Sequence, residues 1–313
     1  MKVIDADRVQ QTLTMPACIE LMADTQAALS RGAIKLPLRN SIEVSGGGQL
    51  LIMPGTHPGL NTFGVKLLSL FPGNRQRSKP VIQGYVVLFD ADDGTPLALI
   101  EAASLTAIRT AAASAMATRL LANESASNLA ILGYGVQAAS HLEAMCCVRD
   151  IRTVKVWGPN PQRCAEFVDR HQISGVTIEA STNVHEAVAD ADLICAVSSA
   201  REPIIEGSSL KAGVHINLVG AHSADAREAD GLTLQKARVF TEVQTFALAE
   251  SGDLLLAIAS GHLRIEDIAG EIGEVVMNMI SGRQNPEQIT LYKSLGNVAQ
   301  DLAAARYLFD QLN

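Results

Sequence analysis

Apolar positions along the chain follow two different rhythms, and the change comes near residue 128. Upstream, residues 15–31 bring Cys18, Leu21, Met22, Ala28 and Leu29 onto one face at a spacing near 3.6, which predicts a helix. Short runs at 49–53, 63–68 and 84–89 read as strands. Turn residues separate them: Gly46-Gly47-Gly48, His57-Pro58-Gly59, Phe71-Pro72-Gly73-Asn74 and the stretch 90–94. Several strands joined by tight turns predict a largely antiparallel sheet. Downstream, buried-type strands at 129–132, 153–157, 176–178, 193–197, 214–219 and 239–241 are interleaved with helices such as 136–145 and 161–170. That alternation predicts an α/β fold with a parallel, doubly wound sheet and right-handed crossovers. A helix over 104–121 carries the chain from the first domain into the second, and another is expected over 295–309.

Composition narrows the function classes. The 313 residues suggest about two domains. Lys and Arg number 25 against 33 Asp and Glu, a net charge of −8, which argues against a nucleic-acid partner. With 4% aromatics the core must be mostly aliphatic. The five cysteines (Cys18, Cys146, Cys147, Cys164 and Cys195) are odd in number and lack C-x-x-C spacing, so neither a disulfide framework nor a metal site is expected. No apolar run suits a signal peptide or a bilayer span, and the expected setting is cytoplasmic, with no membrane partner.

The segment Gly133-Tyr134-Gly135-Val136-Gln137-Ala138 follows a strand and opens a helix. A dinucleotide fold needs the first glycine for the tight turn and the second for close approach of the pyrophosphate, with a small third residue for packing. Gly133, Gly135, Val136 and Gln137 are therefore candidate cofactor contacts. The second strand ends in Trp157-Gly158-Pro159-Asn160-Pro161-Gln162-Arg163, without the carboxylate that would bind a ribose 2′-hydroxyl. Asn160 and Arg163 suit a 2′-phosphate instead, so NADP(H) is favoured and NAD(H) stays open. Arg163 can equally be a solvated residue of a helix's first turn.

Two upstream segments hold cations where apolar residues would be ordinary. Lys66 sits inside the strand-like Gly64-Val65-Lys66-Leu67-Leu68, where an unpaired charge is costly. Thr106, Arg109, Thr110 and Ala113 share one face of an alanine-rich helix.

With these pieces in view, the chain resembles the ornithine cyclodeaminase/mu-crystallin family over nearly its full length. The resemblance is carried by Pro37-Leu38-Arg39, Gly64-Val65-Lys66, Phe71-Pro72-Gly73-Asn74, the run from Leu105 to Ala112, the glycine turn, Glu250-Ser251-Gly252-Asp253 and Lys293-Ser294-Leu295-Gly296. It implies a Rossmann domain over 116–292 and an α+β substrate and dimerisation domain over 1–115, completed by 293–313. It also implies a homodimer. Arg39, Lys66 and Arg109 match the family's contacts to a substrate carboxylate, Gln83 a polar pocket residue, and Thr110 a residue near the cofactor phosphates. Lys293 and Ser294 match a stretch approaching the nicotinamide.

One departure is informative. In ornithine cyclodeaminases, the loop corresponding to Gly220-Ala221-His222-Ser223 carries an aspartate where this chain has His222; mu-crystallin, a ketimine reductase, has serine there. The resemblance therefore favours an NAD(P)H-dependent reductase of cyclic α-imino acids, giving proline or pipecolate. Lys66 or His222 would supply the proton, since histidine ordinarily titrates in the useful range. Ornithine cyclodeamination, amino-acid dehydrogenation and a non-catalytic, mu-crystallin-like binding role stand as alternatives.

Overall fold

The computed structural model describes every residue except Ser78, and the chain divides into two compact units. Unit one is Met1–Thr110 with Gly296–Asn313; unit two is Ala111–Leu295. The first division falls inside one continuous helix, after Thr110 rather than at 115, and the second at Gly296 rather than 293. A helix with no break in its apolar pattern offers no sequence signal for such a boundary.

Unit one is a six-stranded sheet. Its strands are β1 (Lys2–Ile4), β2 (Asn40–Val44), β3 (Gly48–His57), β4 (Thr62–Leu70), β5 (Ile82–Asp90) and β6 (Pro96–Glu101), in the order β1-β6-β5-β4-β3-β2. The ladders from β2 to β6 are antiparallel, and β1 joins β6 in parallel. The strands that the hydrophobic pattern does not predict have a reason to be silent. β1 has three residues, and all five residues of β2 are exposed, so no alternation appears. Helices α1 (Ala6–Thr12) and α2 (Met15–Ser30) and the C-terminal helix Val298–Gln311 complete the unit. That last helix begins after Asn297, whose side chain accepts from the Gln300 N–H while the Gln300 side chain accepts from the Asn297 N–H. This capping box sets the start later than the periodicity predicts. The helix lies close on the sheet. A Cβ at Gly55 would strike Val298, and one at Gly64 would strike Leu302 and the Val87 carbonyl.

The helix α3 (Ala102–Leu121) leads from unit one into unit two. Unit two is an all-parallel sheet of β7 (Asn128–Leu132), β8 (Thr153–Trp157), β9 (Thr177–Ser181), β10 (Leu193–Ala196), β11 (His215–Leu218), β12 (Arg238–Thr241), β13 (Ile268–Glu271) and β14 (Thr290–Lys293). Their order is β13-β12-β14-β11-β10-β7-β8-β9. Read from β9 to β14, this is the doubly wound Rossmann order, reversing between β7 and β10. Strand β14 inserts between β11 and β12; its four residues include Lys293 and Thr290, so it lacks the apolar run by which its neighbours are recognised. The core is aliphatic, with Ala130, Leu132, Ile194, Ile216, Leu218, Val239 and Leu291 among its members. Helices α4 (Val136–Val148), α5 (Pro161–Arg170), α6 (Val184–Val188), α7 (Gly231–Lys236), α8 (Gln244–Glu250), α9 (Gly252–Ala259) and α10 (Ile272–Val276) form the crossovers and turns.

Candidate functional site

In unit one, alternation along β4 buries Thr62, Gly64, Lys66 and Leu68 on one face. Lys66 is 1% exposed, and its Nζ donates to Asp301 Oδ1 at 2.8 Å. Arg109, on α3, donates from Nε to the same oxygen at 3.0 Å and from Nη1 to Gln300 Oε1 at 3.0 Å. Arg39 reaches the Gly296 carbonyl at 3.5 Å, and its charge is felt at Lys66. Burial lowers the Lys66 pKa to about 8; Asp301 opposes the shift, and Arg109 and Arg39 add to it. Gly296 belongs to this construction. Its φ is +73°, and a Cβ there would strike the Arg109 guanidinium. Lys66 and Arg109 thus share one buried carboxylate, two cations on one anion, and the Arg39 charge is felt at Lys66. Among the described residues Asp301 Oδ2 has no hydrogen-bond partner.

Asp301 was not a sequence candidate. The available signal was a charged residue inside the apolar face of Val298, Ala299, Leu302 and Ala305, an arrangement that is costly without a partner. Thr110 lies on α3 next to Arg109 and is buried. Gln83 lies on β5, and the structure does not bring it together with the cations. It pairs with Ser69, three register positions along the β4–β5 ladder from the Lys66–Val86 pair. An odd step puts it on the other face of the pleat. Its amide donates to the Pro80 carbonyl at 3.4 Å.

In unit two the glycine turn has the conformation its sequence implies. Gly133 has φ +133°, and a Cβ there would strike the Val197 carbonyl. Gly135 is the N-cap of α4 and provides no side-chain cap, so the first N–H groups of the helix stay available to an anion. A Cβ at Gly135 would point into open space, and Val136 beside it is exposed. Ala138, at the third small position, is fully buried against the sheet. These features fit a dinucleotide pyrophosphate. At the end of β8, Asn160 caps α5 by accepting from the Arg163 N–H at 3.1 Å. The Arg163 guanidinium lies over the Tyr134 ring, 5.3 Å from its centre, which places a cation beside the glycine turn.

The turn after β11 carries His222, which is exposed and whose Nδ1 lies 2.9 Å from the Gly220 carbonyl. Beneath it are three buried charges that the sequence reading did not assemble. Glu228 Oε1 accepts from the Ser198 N–H at 2.8 Å and the Ser198 hydroxyl at 2.7 Å. Its Oε2 accepts from the N–H groups of Gly220 at 2.6 Å and Ala221 at 3.3 Å. Asp253 Oδ1 accepts from the N–H groups of Glu228 and Ala229, and its Oδ2 accepts from Lys293 Nζ at 2.9 Å. Lys293 also donates to the Ala221 carbonyl at 2.6 Å. Burial pushes the Glu228 carboxyl above its usual range, against the pull of Lys293. Lys293 and Ser294, expected in a stretch that approaches the nicotinamide, both turn their side chains inward. Lys293 is 1% exposed and holds Asp253, while the Ser294 hydroxyl donates to Glu242 Oε1 at 2.8 Å. Among the described residues no cluster of His, Cys, Asp and Glu suits a metal ion, and no helix is long and apolar enough to cross a membrane.

The model of the ornithine cyclodeaminase/mu-crystallin family matches residues 1–313. The chain belongs to this family. A Δ1-pyrroline-2-carboxylate reductase of Colwellia psychrerythraea is 33% identical over 320 residues, spanning 100% of this chain and 99% of that protein. The solved Δ1-pyrroline-2-carboxylate reductase of Thermococcus litoralis, in complex with NADH and L-proline, superposes with a TM-score of 0.95 at 33% identity, covering 99% of this chain and 97% of that one. An archaeal alanine dehydrogenase dimer with bound NAD gives a TM-score of 0.93 at 26% identity, covering 99% and 95%.

Proposed function

We propose that the chain is a nicotinamide-dinucleotide-dependent reductase of cyclic α-imino acids, Δ1-pyrroline-2-carboxylate or its six-membered homologue. The observation that carries this reading is the excess positive charge around Asp301, built in a chain that also holds an open dinucleotide turn. The relatives named as Δ1-pyrroline-2-carboxylate reductases support the substrate class.

Arg39, Lys66 and Arg109 take the substrate carboxylate, and charge-assisted bonds fix its orientation. The first N–H groups of α4, with Gly133, Gly135, Val136 and Gln137, hold the pyrophosphate, and Thr110 contributes near the phosphates. When bound, the reduced dinucleotide supplies a hydride to the imine carbon. The ring nitrogen gains a proton, so that C=N becomes CH–NH. Lys66 is suited to give that proton, because burial has brought its ammonium into the range where it both holds and releases one. His222 is the other candidate donor, exposed on the turn after β11. NADP(H) is the favoured cofactor. Arg163, held against Tyr134, suits a 2′-phosphate, and no carboxylate follows β8 to favour a free 2′-hydroxyl. The protein works as a homodimer through unit one. Support comes from the exposed apolar residues Leu38, Ile42, Val44, Ile82 and Tyr85 on or beside strands β2 and β5, together with the dimer formed by the archaeal relative.

The test is Arg109→Ala, assayed with Δ1-pyrroline-2-carboxylate. Losing one charge-assisted contact to the carboxylate should lower kcat/KM by about a hundredfold or more, mostly through KM. An unchanged kcat/KM would remove the cation cluster from the site.

A further inference from the structure

Glu250-Ser251-Gly252-Asp253 and Lys293-Ser294 have no direct ligand role in the account above, yet their buried charges converge behind one carboxylate. We propose that Glu228 is a positioning residue for hydride transfer: it ties the turn after β10 to the turn after β11 and so fixes the surface on which the nicotinamide half of the dinucleotide rests. The proposal builds on the reductase reading of the same site.

The strand order carries the placement. The pyrophosphate turn follows β7 and the adenine ribose belongs at the end of β8, so the other half of the cofactor extends over the carboxyl ends of β10 and β11. Glu228 spans those two ends. Ser198 is two residues beyond β10, and Gly220 two beyond β11. Four donors converge on its two oxygens and favour the carboxylate form, against the burial that raises its pKa. The turns are in contact as well as bonded, since a Cβ at Gly220 would strike the Ser198 carbonyl and Glu228 itself. Asp253 fixes Glu228 from behind through the Glu228 and Ala229 N–H groups, and Lys293 pins the Ala221 carbonyl. Gly252 lets α9 close against the same segment, where a Cβ would strike the carbonyls of Ser223 and Ala226. The stretch bearing His222 is thus held from both ends.

Glu228→Gln tests this with little change of shape. Glutamine offers one acceptor oxygen and an NH2 group, so at least one turn would face donor against donor and shift. A displacement of the order of 1 Å near the reacting groups is expected to lower kcat by about a hundredfold. KM for Δ1-pyrroline-2-carboxylate should stay within about threefold, because the carboxylate contacts are untouched. NADH titration should give a Kd within about threefold, because the glycine turn is intact, but altered emission of the bound nicotinamide. Unchanged kcat and unchanged bound emission, even in a less stable variant, would overturn the proposal and leave Glu228 a purely structural group. If the glutamine variant does not fold, Ser198→Ala removes one of the four donors, and kcat and bound emission should shift in the same direction; no change in either would overturn the proposal. Wild-type protein that binds NADH but reduces no imine would defeat the substrate reading, and bound emission alone would then decide the role of Glu228. Wild-type protein that binds no dinucleotide would defeat both.

Discussion

Each unit contains a buried charge cluster, and the two are unbalanced in opposite directions. In unit one, Lys66 and Arg109 share a single oxygen of Asp301, with Arg39 close enough to be felt at Lys66. In unit two, Glu228 and Asp253 share a single cation, Lys293. The negative excess of unit two is answered by the protein itself, through backbone N–H groups and the Ser198 hydroxyl. In unit one the excess is positive: Lys66 and Arg109 share one carboxylate oxygen, and Arg109 donates once more to the neutral Gln300 Oε1. Buried charge that the chain satisfies with its own backbone holds a structure in place; buried charge that it leaves over is a place for a ligand of opposite sign. The contrast distinguishes the proposed positioning network from the proposed binding site by charge and hydrogen bonding.

Three substitutions probe that contrast. The largest effect on stability belongs to Lys293→Ala, which strips Asp253 of its ion-pair partner and Glu228 of the cation that draws on it. Leaving buried charge uncompensated should cost about 3–5 kcal/mol in denaturant unfolding. A loss below about 1 kcal/mol would mean that the backbone donors suffice alone. Asp301→Asn acts on the other side. Because Asp301 raises the Lys66 pKa against burial and the neighbouring arginines, its removal lets that pKa fall further below about 8. An ammonium that donates a proton is active below its pKa and lost above it. The alkaline limb of the pH–rate profile should therefore move to lower pH, with kcat/KM reduced by about tenfold at neutral pH. An alkaline limb that stays in place would separate Lys66 from proton delivery. The smallest change is Gly296→Ala. The added methyl displaces the Arg109 guanidinium and strains a backbone at φ +73°. KM for the imino acid should rise by about tenfold with kcat nearly retained, a weaker copy of Arg109→Ala.

Much of this architecture can be read from the sequence, and the gaps follow a rule. The glycine turn is local, so Gly133, Gly135 and Ala138 declare it within six residues. Lys66 and Arg109 stand out because each is a charge in an apolar stretch. Their partner Asp301 lies 235 residues from Lys66 along the chain, and only the closing of the C-terminal helix over β4 brings them together. Glu228, Asp253 and Lys293 are likewise gathered from two separate crossovers and the end of β14. Lys293 and Ser294 show the same limit from the other side. The motif marks them as important, but nothing local tells a side chain turned toward a ligand from one turned inward to Asp253 or Glu242. The face on which Gln83 lies depends on the β4–β5 register, which the turn residues between the strands do not reveal.

The most direct test of the account is oxidation of NADPH and NADH by the wild-type protein, followed by absorbance, with Δ1-pyrroline-2-carboxylate and its six-membered homologue. The account predicts rapid oxidation with at least one of the two, and faster with NADPH than with NADH. No oxidation of either nucleotide, with ammonia released from ornithine instead, would contradict it and make the chain a cyclodeaminase in which His222 stands where the aspartate is expected.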